Sequence, residues 1–176
     1  MAFGNRLIST AVSGPPVVGD VYEGGVVFWV NPSDPNSGML ASLVNIGSSL
    51  TWNNGSNFTT GATGTAVGTG GSNTTTIINA QGNFGSYAAR NCRLHNGGGF
   101  NDWFLPSSDE LAIMRGQQGV IAAASGNGFA QNQHWSSTEV DAGSAIVRLF
   151  QNPNIQGPQT KFQPLPVRAA RYYTWS

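Results

Sequence analysis

The stretch GGGFNDWFLPSSDEL, residues Gly97–Leu111, decides how this chain folds. Its three glycines are typical of a tight turn, and the apolar run Trp103–Leu105 has the composition of a buried core segment. Pro106 then precedes Ser107, where Ser-Ser-Asp-Glu matches a capping box, in which a serine and a glutamate three residues later cap the first turn of a helix. The stretch therefore predicts a turn, a core aromatic residue and a helix that begins at Ser107.

The same stretch resembles the central motif of the Lcl C-terminal or DUF1566-type family, a domain of bacteria and phages. Trp135–Glu139 is similar to the strand that follows the motif in that family, Val167–Arg171 to its closing strand, and Gly24–Val30 to its opening strand. The residues that carry the structural signature are Asn101, Asp102, Trp103, Leu105, Pro106, Ser107, Glu110, Trp135 and Arg168. The resemblance implies an α+β, C-type-lectin-like fold that most often serves surface recognition, and it names no ligand.

The physical interpretation of the signature is structural. Aromatic side chains supply much of the energy of a protein core, so we interpret Trp103 and Trp135 as packed core residues rather than as platforms for a sugar. Asp109 lies in the first turn of the predicted helix, where a carboxylate interacts favourably with the helix dipole. The signature therefore identifies a fold and leaves the binding site to be found elsewhere.

Hydrophobic patterning along the rest of the chain predicts an antiparallel sheet with two or three short helices. The predicted strands are Gly24–Val30, Met39–Val44, His134–Thr138, Ala145–Phe150 and Val167–Trp175, with turn chemistry at Asp34–Gly38. Besides the helix at Ser107, helical periodicity occurs in Thr74–Ala80 and Tyr87–Leu94, and Ser48–Asn73 has the composition of a long ordered loop. We expect an N-terminal arm over residues 1–20, either an assembly contact or a disordered terminus, followed by one domain over residues 21–176.

Composition excludes several classes of partner. Charged residues make up 9% of the 176 residues, against about 25% in typical soluble domains, and eight basic side chains balance eight acidic ones. No segment concentrates Lys or Arg, so a nucleic-acid partner is not expected. No run of about 18 apolar residues occurs, so membrane insertion is not expected either. The one cysteine, Cys92, cannot form an internal disulfide.

Residues with the potential for chemistry are few. Cys92 and His95 lie three apart on a predicted helix, but no third group that would orient them is evident, and a lone cysteine is usually a small buried residue. Glu139 and Asp141 point to the same side of an extended strand and could hold a calcium ion, although solvated surface charge is the ordinary interpretation. We therefore predict no catalytic residue, no metal site and no cofactor.

A polar, amide-rich segment between two predicted strands is the candidate recognition surface. Loops that a rigid scaffold presents often carry binding residues, although an inert connection is the alternative interpretation. The candidate binding residues are Asn152, Asn154, Gln156, Gln159 and Lys161.

The predicted function follows from two features that occur together in few classes of protein. A Gly-, Asn-, Ser- and Thr-rich surface is commoner in extracellular adhesive proteins, yet residues 1–20 contain no apolar run of signal-peptide length. Virion proteins combine both, because they are assembled in the host cytoplasm and act outside cells. We expect a non-enzymatic phage virion protein (a decoration, fibre or receptor-binding component) that forms a homo-oligomer, contacts other virion proteins through the arm and binds a host-surface glycan or protein. The alternative is an adhesin or carbohydrate-binding module on a bacterial cell surface.

Overall fold

Four short helices and nine antiparallel strands form the part of the chain that the computed structural model describes, residues 14–176. The predicted α+β class is confirmed. The strands are β1 (Val21–Tyr22), β2 (Gly25–Asn31), β3 (Asp34–Ser42), β4 (Gly47–Leu50), β5 (Gln133–Glu139), β6 (Ser144–Leu149), β7 (Gln156–Thr160), β8 (Leu165–Val167) and β9 (Ala170–Thr174). The helices are α1 (Gly70–Gln81), α2 (Ala88–Leu94), α3 (Ser108–Gly116) and α4 (Gln118–Ser125).

The central sheet has the strand order β1-β2-β3-β9, so the last strand of the chain pairs with the N-terminal hairpin. Met39 lies opposite Tyr172, and Leu40 lies opposite Arg171. Phe104, from the signature, forms an isolated bridge to Ala170, with its backbone N–H 2.8 Å from the carbonyl oxygen of that residue. The signature is thereby hydrogen-bonded to the edge of the central sheet.

Two apolar clusters lie on the two faces of this sheet, because successive side chains of a strand point to opposite faces. Val27 and Leu40 face the cluster that contains the fully buried indoles of Trp52, Trp103 and Trp135. The second cluster contains Val26, Phe28, Met39, Phe104, Leu111, Met114 and Phe150. The prediction that Trp103 and Trp135 are core residues is confirmed.

A β-bulge in β2 interrupts this alternation. Val27 pairs with Leu40 and Trp29 pairs with Met39, so Phe28 is the extra residue on its strand. A bulge re-aims the side chains that follow it. Trp29 consequently packs against the same cluster as Phe28, and its side chain remains half-buried.

Some elements differ from the predictions. The β2–β3 hairpin turns at Pro32–Ser33, and the turn-rich segment Asp34–Gly38 belongs to β3. The predicted loop Ser48–Asn73 contains most of β4 and the first turn of α1. Gly70 opens α1 although glycine is a poor helix former, because a Cβ at this position would overlap the Glu110 carboxylate and the Phe104 ring. Such long-range contacts leave no trace in local periodicity.

The capping box is confirmed. The Ser107 hydroxyl accepts from the Glu110 N–H at 3.4 Å and donates to the Ala66 carbonyl oxygen at 3.0 Å, while the Glu110 carboxylate accepts from the Ser107 N–H at 2.8 Å. Leu111 and Met114 of α3 are buried as expected, and Ile113 is partly buried.

We expect Ser107→Ala to lower the free energy of unfolding by about 1–2 kcal/mol, because the helix loses its cap and the Ala66 carbonyl oxygen loses its donor. Ser108→Ala is a matched control, since the Ser108 hydroxyl is buried without a hydrogen-bond partner among the described residues. That variant should be neutral or slightly stabilising in urea denaturation. Equal losses for the two serines would contradict the capping role.

Candidate functional site

Within the predicted polar segment, Asn152 and Asn154 lie between β6 and β7 and Gln156 begins β7, and all three residues are exposed. Two arginines hold this segment. Arg115 of α3 donates from Nη2 to the Asn152 Oδ1 at 2.8 Å and to the Gln151 carbonyl oxygen at 3.2 Å.

Arg148 of β6 holds the other half of the segment. It donates from Nη1 to the Asn154 Oδ1 at 3.0 Å and from Nη2 to the Gln156 Oε1. We call residues 151–156 together with Arg115 and Arg148 the polar loop surface. Burial, and after it the positive charge of Arg115, lowers the pKa of Arg148, while Asp109 acts in the opposite direction. The loop is therefore ordered by two neighbouring cations whose side-chain hydrogen bonds, among residues 14–176, all go to neutral oxygen atoms.

Sequence reasoning did not identify Arg115 or Arg148 as part of this surface. Arg148 lies at the outward position of an alternating strand, and Arg115 lies in the last turn of α3, where a cation favours the helix dipole. Both positions have an ordinary structural explanation. Only the packing of α3 beside β6 shows that the two side chains reach the same loop.

Two of the candidate binding residues lie elsewhere. Gln159 is half-buried and donates from Nε2 to the Gln133 Oε1 at 3.1 Å, across the sheet from the polar loop surface. The prediction that Lys161 belongs to an exposed polar loop is wrong, because its side chain is 0% exposed. Its Nζ lies 2.6 Å from the Glu139 Oε1, so the charge is neutralised inside the protein rather than offered to a ligand.

The Lys161 ammonium group is fully hydrogen-bonded. Besides Glu139 it donates to the carbonyl oxygens of Phe58 at 3.2 Å and Ala142 at 3.0 Å, and it lies 4.5 Å from the centre of the Trp52 ring. Three donors and three acceptors match, as a buried ammonium requires. This cluster joins the loop before α1 to the β5–β6 turn.

The acidic pair considered for calcium is used internally. Glu139 is buried and also accepts the backbone N–H groups of Thr60 and Gly61, at 2.8 Å each. Asp141 is exposed and accepts the N–H groups of Gly143 and Ser144, at 2.8 Å each, within the β5–β6 turn. Among residues 14–176 no group of three or more His, Cys, Asp or Glu side chains is placed to hold a metal ion.

Cys92 and His95 do not form a nucleophile and base. The Cys92 thiol is fully buried in α2, and burial raises its pKa well above the usual value, so the thiol stays protonated. His95 packs edge-on against Trp103, with ring centres 4.9 Å apart. Its pKa is lowered by burial and then by the charge of Arg168.

Most of the signature residues lie in the core of the domain, where they pack and form hydrogen bonds. Trp103 donates its indole N–H to the Gly97 carbonyl oxygen at 3.1 Å, and Leu105 donates its N–H to the Thr74 hydroxyl at 2.9 Å. Pro106 is buried, and its carbonyl oxygen accepts the Ser137 N–H of β5 at 2.8 Å. These contacts give the motif a structural role in the core.

Two polar members of the signature, Asn101 and Asp102, lie at the surface. Asn101 is exposed, and Asp102 pairs with Arg171, whose guanidinium also pairs with Glu23 and lies 3.6 Å from the centre of the Phe100 ring. Arg168 is buried instead. It donates to the Asn45 Oδ1 at 3.0 Å, and burial lowers its pKa to about 10.

A concave surface away from the polar loop surface was not predicted at all. This aromatic cleft, with a volume of about 330 Å³, is lined by Trp29, Asn31, Ser37, Gly38, Val67, Gly68, Tyr172, Tyr173 and Thr174. Its volume lies at the lower end of the range for small-molecule sites. The lining combines apolar and aromatic side chains with a few polar groups, which is the usual composition of a ligand site.

The signature glutamate is not part of the cleft lining but holds two residues that are, Tyr172 and Gly68. Glu110 accepts the Tyr172 hydroxyl and, at 2.8 Å, the Gly68 N–H, in addition to its capping contact in α3. Burial, and then the hydrogen bond to Glu110, raises the pKa of Tyr172, so the phenol remains a donor. The Tyr172 ring also packs against Phe104, with centres 4.4 Å apart. The wall of the cleft at Tyr172 is therefore rigid.

No protein-family model matches the sequence, and no curated protein matches it. None of the helices in residues 14–176 is long and apolar enough to cross a membrane.

Proposed function

We propose that this chain is a non-enzymatic structural protein of a phage virion, a decoration, fibre or receptor-binding component, whose C-type-lectin-like domain recognises a host surface. The polar loop surface carries this proposal. An exposed run of amide side chains that two arginines order is pre-organised for binding, which limits the conformational entropy lost on contact with a partner.

The arrangement of the chain supports the C-type-lectin-like part of the proposal. The final strand β9 closes the sheet against the N-terminal hairpin, and the signature is hydrogen-bonded to β9 through Phe104 and Ala170. The part of the chain between β3 and β9 is thereby anchored at both ends to the same sheet. The stretches that resemble the DUF1566-type family occur along the chain in that family's order.

The proposal includes no cysteine-based catalysis, because a catalytic thiol has to be accessible and able to ionise. The Cys92 thiol is buried and protonated, and it is the single cysteine of the chain, so no cysteine pair can form. Purified protein should therefore leave a thiol-containing peptide unoxidised, and activity that disappears in Cys92→Ala would contradict the proposal.

We assign the assembly contact to the N-terminal residues. A truncation that tests this contact should end at residue 13 rather than at the predicted boundary, residue 20. Residues 1–13 lie outside the described part of the chain. In the remainder of the predicted arm, Gly19 donates to the Val27 carbonyl oxygen at 2.9 Å, Asp20 accepts from the Val27 N–H at 2.9 Å, and Pro16 is buried. The predicted boundary at residue 20 therefore cuts through the domain.

We expect deletion of residues 1–13 to leave the thermal unfolding of the protein unchanged while abolishing its incorporation into particles and its homo-oligomer. Particle composition after purification and sedimentation of the isolated protein measure the two effects. The matched control is the full-length chain with Asn152→Ala and Asn154→Ala, which should enter particles and lose attachment to host cells. Normal incorporation of the truncated chain would contradict the assembly role.

The aromatic cleft favours a second candidate function, a carbohydrate-binding module or adhesin on a bacterial cell surface. Partly exposed aromatic side chains beside fixed amide and hydroxyl groups suit a saccharide as well as a virion receptor. The location of the native protein separates the two candidates, since purified particles should contain it in the first case and washed bacterial cells in the second.

A further inference from the structure

We propose that the aromatic cleft binds a neutral pyranose ring of a glycan, without a metal ion, by stacking the C–H face of the sugar on Trp29. The inference rests on the proposed recognition function and assigns it a second surface, separate from the polar loop surface. The supporting observations are the exposure of one indole, the rigidity of the opposite wall and the polar groups between them.

Trp29 differs from the three core tryptophans in its hydrogen bonding. Trp52, Trp103 and Trp135 are fully buried, and each donates its indole N–H to a backbone carbonyl oxygen within 3.1 Å. The Trp29 indole is half-buried, and its N–H makes no hydrogen bond to the described residues. Among residues 14–176 it therefore combines an apolar face with a donor that no acceptor occupies, which suits a sugar platform.

The β-bulge at Phe28 is the reason Trp29 lies at this cleft. Without the extra residue, alternation would place Trp29 on the face of Val27, among the buried tryptophans. With the bulge, Trp29 lies on the same face as Tyr172, which lines the opposite side of the cleft. Gly38, also in the lining, has no space for a Cβ because Tyr173 and the Trp29 backbone lie against it.

Polar groups that suit sugar hydroxyls lie at the end of the cleft. The Asn31 amide is fixed at both ends, since Nδ2 donates to the Ser37 hydroxyl at 3.2 Å and Oδ1 accepts the Ser33 N–H at 3.0 Å. One N–H and one lone pair of this amide remain for a ligand. Thr174 adds an exposed hydroxyl. A neutral ligand is favoured because none of the described residues that line the cleft carries a charged side chain.

The expected affinity is low for one sugar ring. A monosaccharide has about a dozen non-hydrogen atoms, and at the efficiency of ordinary ligands this corresponds to a Kd on the order of 1 mM. Repetition of the domain in a homo-oligomer would raise the apparent affinity for a polymeric glycan by about 10²-fold or more. The monosaccharide measurement therefore requires a method that detects weak binding.

The test is saturation-transfer NMR with the full-length protein and methyl glycosides of glucose, galactose, mannose and N-acetylglucosamine, with and without EDTA. We expect at least one glycoside to bind with a Kd on the order of 1 mM, unaffected by EDTA. Trp29→Ala should weaken binding about tenfold or more. Trp175→Ala is the matched control, because this other half-buried tryptophan is not part of the cleft lining, and its binding should be unchanged.

A second variant keeps the test valid if Trp29→Ala fails to fold. Val67→Tyr enlarges a partly exposed wall residue, so it should block the cleft while thermal unfolding stays as in the wild type. Failure of all four glycosides to bind, binding that survives both Trp29→Ala and Val67→Tyr, or binding that EDTA abolishes would each overturn the inference. Particle incorporation tests the virion role independently, so either proposal can fail alone.

Discussion

Replacing Lys161 by methionine is expected to lower the free energy of unfolding by about 3–5 kcal/mol. The ammonium group of Lys161 and the carboxylate of Glu139 are both buried, 2.6 Å apart, and methionine would leave the carboxylate without its cation. The Phe58 and Ala142 carbonyl oxygens would lose a donor as well. Urea denaturation of the two proteins at pH 7 measures the difference.

A double variant shows whether the cost comes from the unpaired charge. In Lys161→Met with Glu139→Gln no charge is left, and the glutamine oxygen can still accept from Thr60 and Gly61. We expect this protein to recover much of the stability, since replacing both partners of a buried pair is often close to neutral. Asp102→Asn, which disrupts a pair whose carboxylate side chain is 56% exposed, should cost only about 0–1 kcal/mol. A double variant as unstable as Lys161→Met would contradict this account.

Acidification should destabilise the protein through His134, by about 3 kcal/mol between pH 6.5 and 4. The imidazole is fully buried against Phe129 and Phe150, with ring centres 5.7 and 4.1 Å away, and burial lowers its pKa to about 4. The unfolded chain binds a proton at its ordinary pKa of about 6.5, whereas the folded chain does not. Stability is therefore complete above pH 6.5 and falls as the pH decreases toward 4.

His134→Phe is the variant that isolates this effect. Phenylalanine suits the aromatic surroundings, and the Asn132 carbonyl oxygen, which His134 Nδ1 contacts at 3.1 Å, still accepts the Phe150 N–H at 3.1 Å. Denaturation midpoints measured from pH 7 to 4.5 should fall less steeply for this variant than for the wild type. Parallel pH profiles for the two proteins would show that His134 is not the titrating group. The other histidine, His95, is present in both proteins.

Glu139 acts in a separate pH window. Burial alone would raise its pKa, but the hydrogen bond from Lys161, followed by those from Thr60 and Gly61, lowers it below the usual value. A carboxyl group with a lowered pKa stabilises the fold above its unfolded pKa of about 4.5, and this contribution disappears only as the pH falls below that value. The interval from pH 6.5 to 4.5 therefore reports on the two histidines rather than on Glu139, and the comparison with His134→Phe isolates His134 because His95 is common to both proteins.

The sequence predicted those features that depend on neighbours along the chain. The capping box at Ser107, the core role of Trp103 and the strand at Ala145–Phe150 were all identified, because each follows from local geometry or from alternation. The exposed residues Asn152, Asn154 and Gln156 were also found from composition. Lys161 was misplaced because a lysine after a polar segment gives no sign of the glutamate, 22 residues away, that neutralises it.

The candidate binding surfaces needed the tertiary structure. Arg115 and Arg148 meet at one loop because α3 packs beside β6, and Trp29 reaches the aromatic cleft because a bulge shifts the register of β2 by one residue. Glu110 makes both a local and a long-range contact. Its capping partner Ser107 is three residues away in the sequence, whereas its partner Tyr172 is 62 residues away. By itself the sequence determined the α+β class and the capped helix at Ser107, since local hydrogen bonds and periodic burial are encoded in adjacent residues. The positions of the buried Lys161–Glu139 pair, of the polar loop surface and of the aromatic cleft were decided by packing, because the residues that form them become neighbours only in the folded chain.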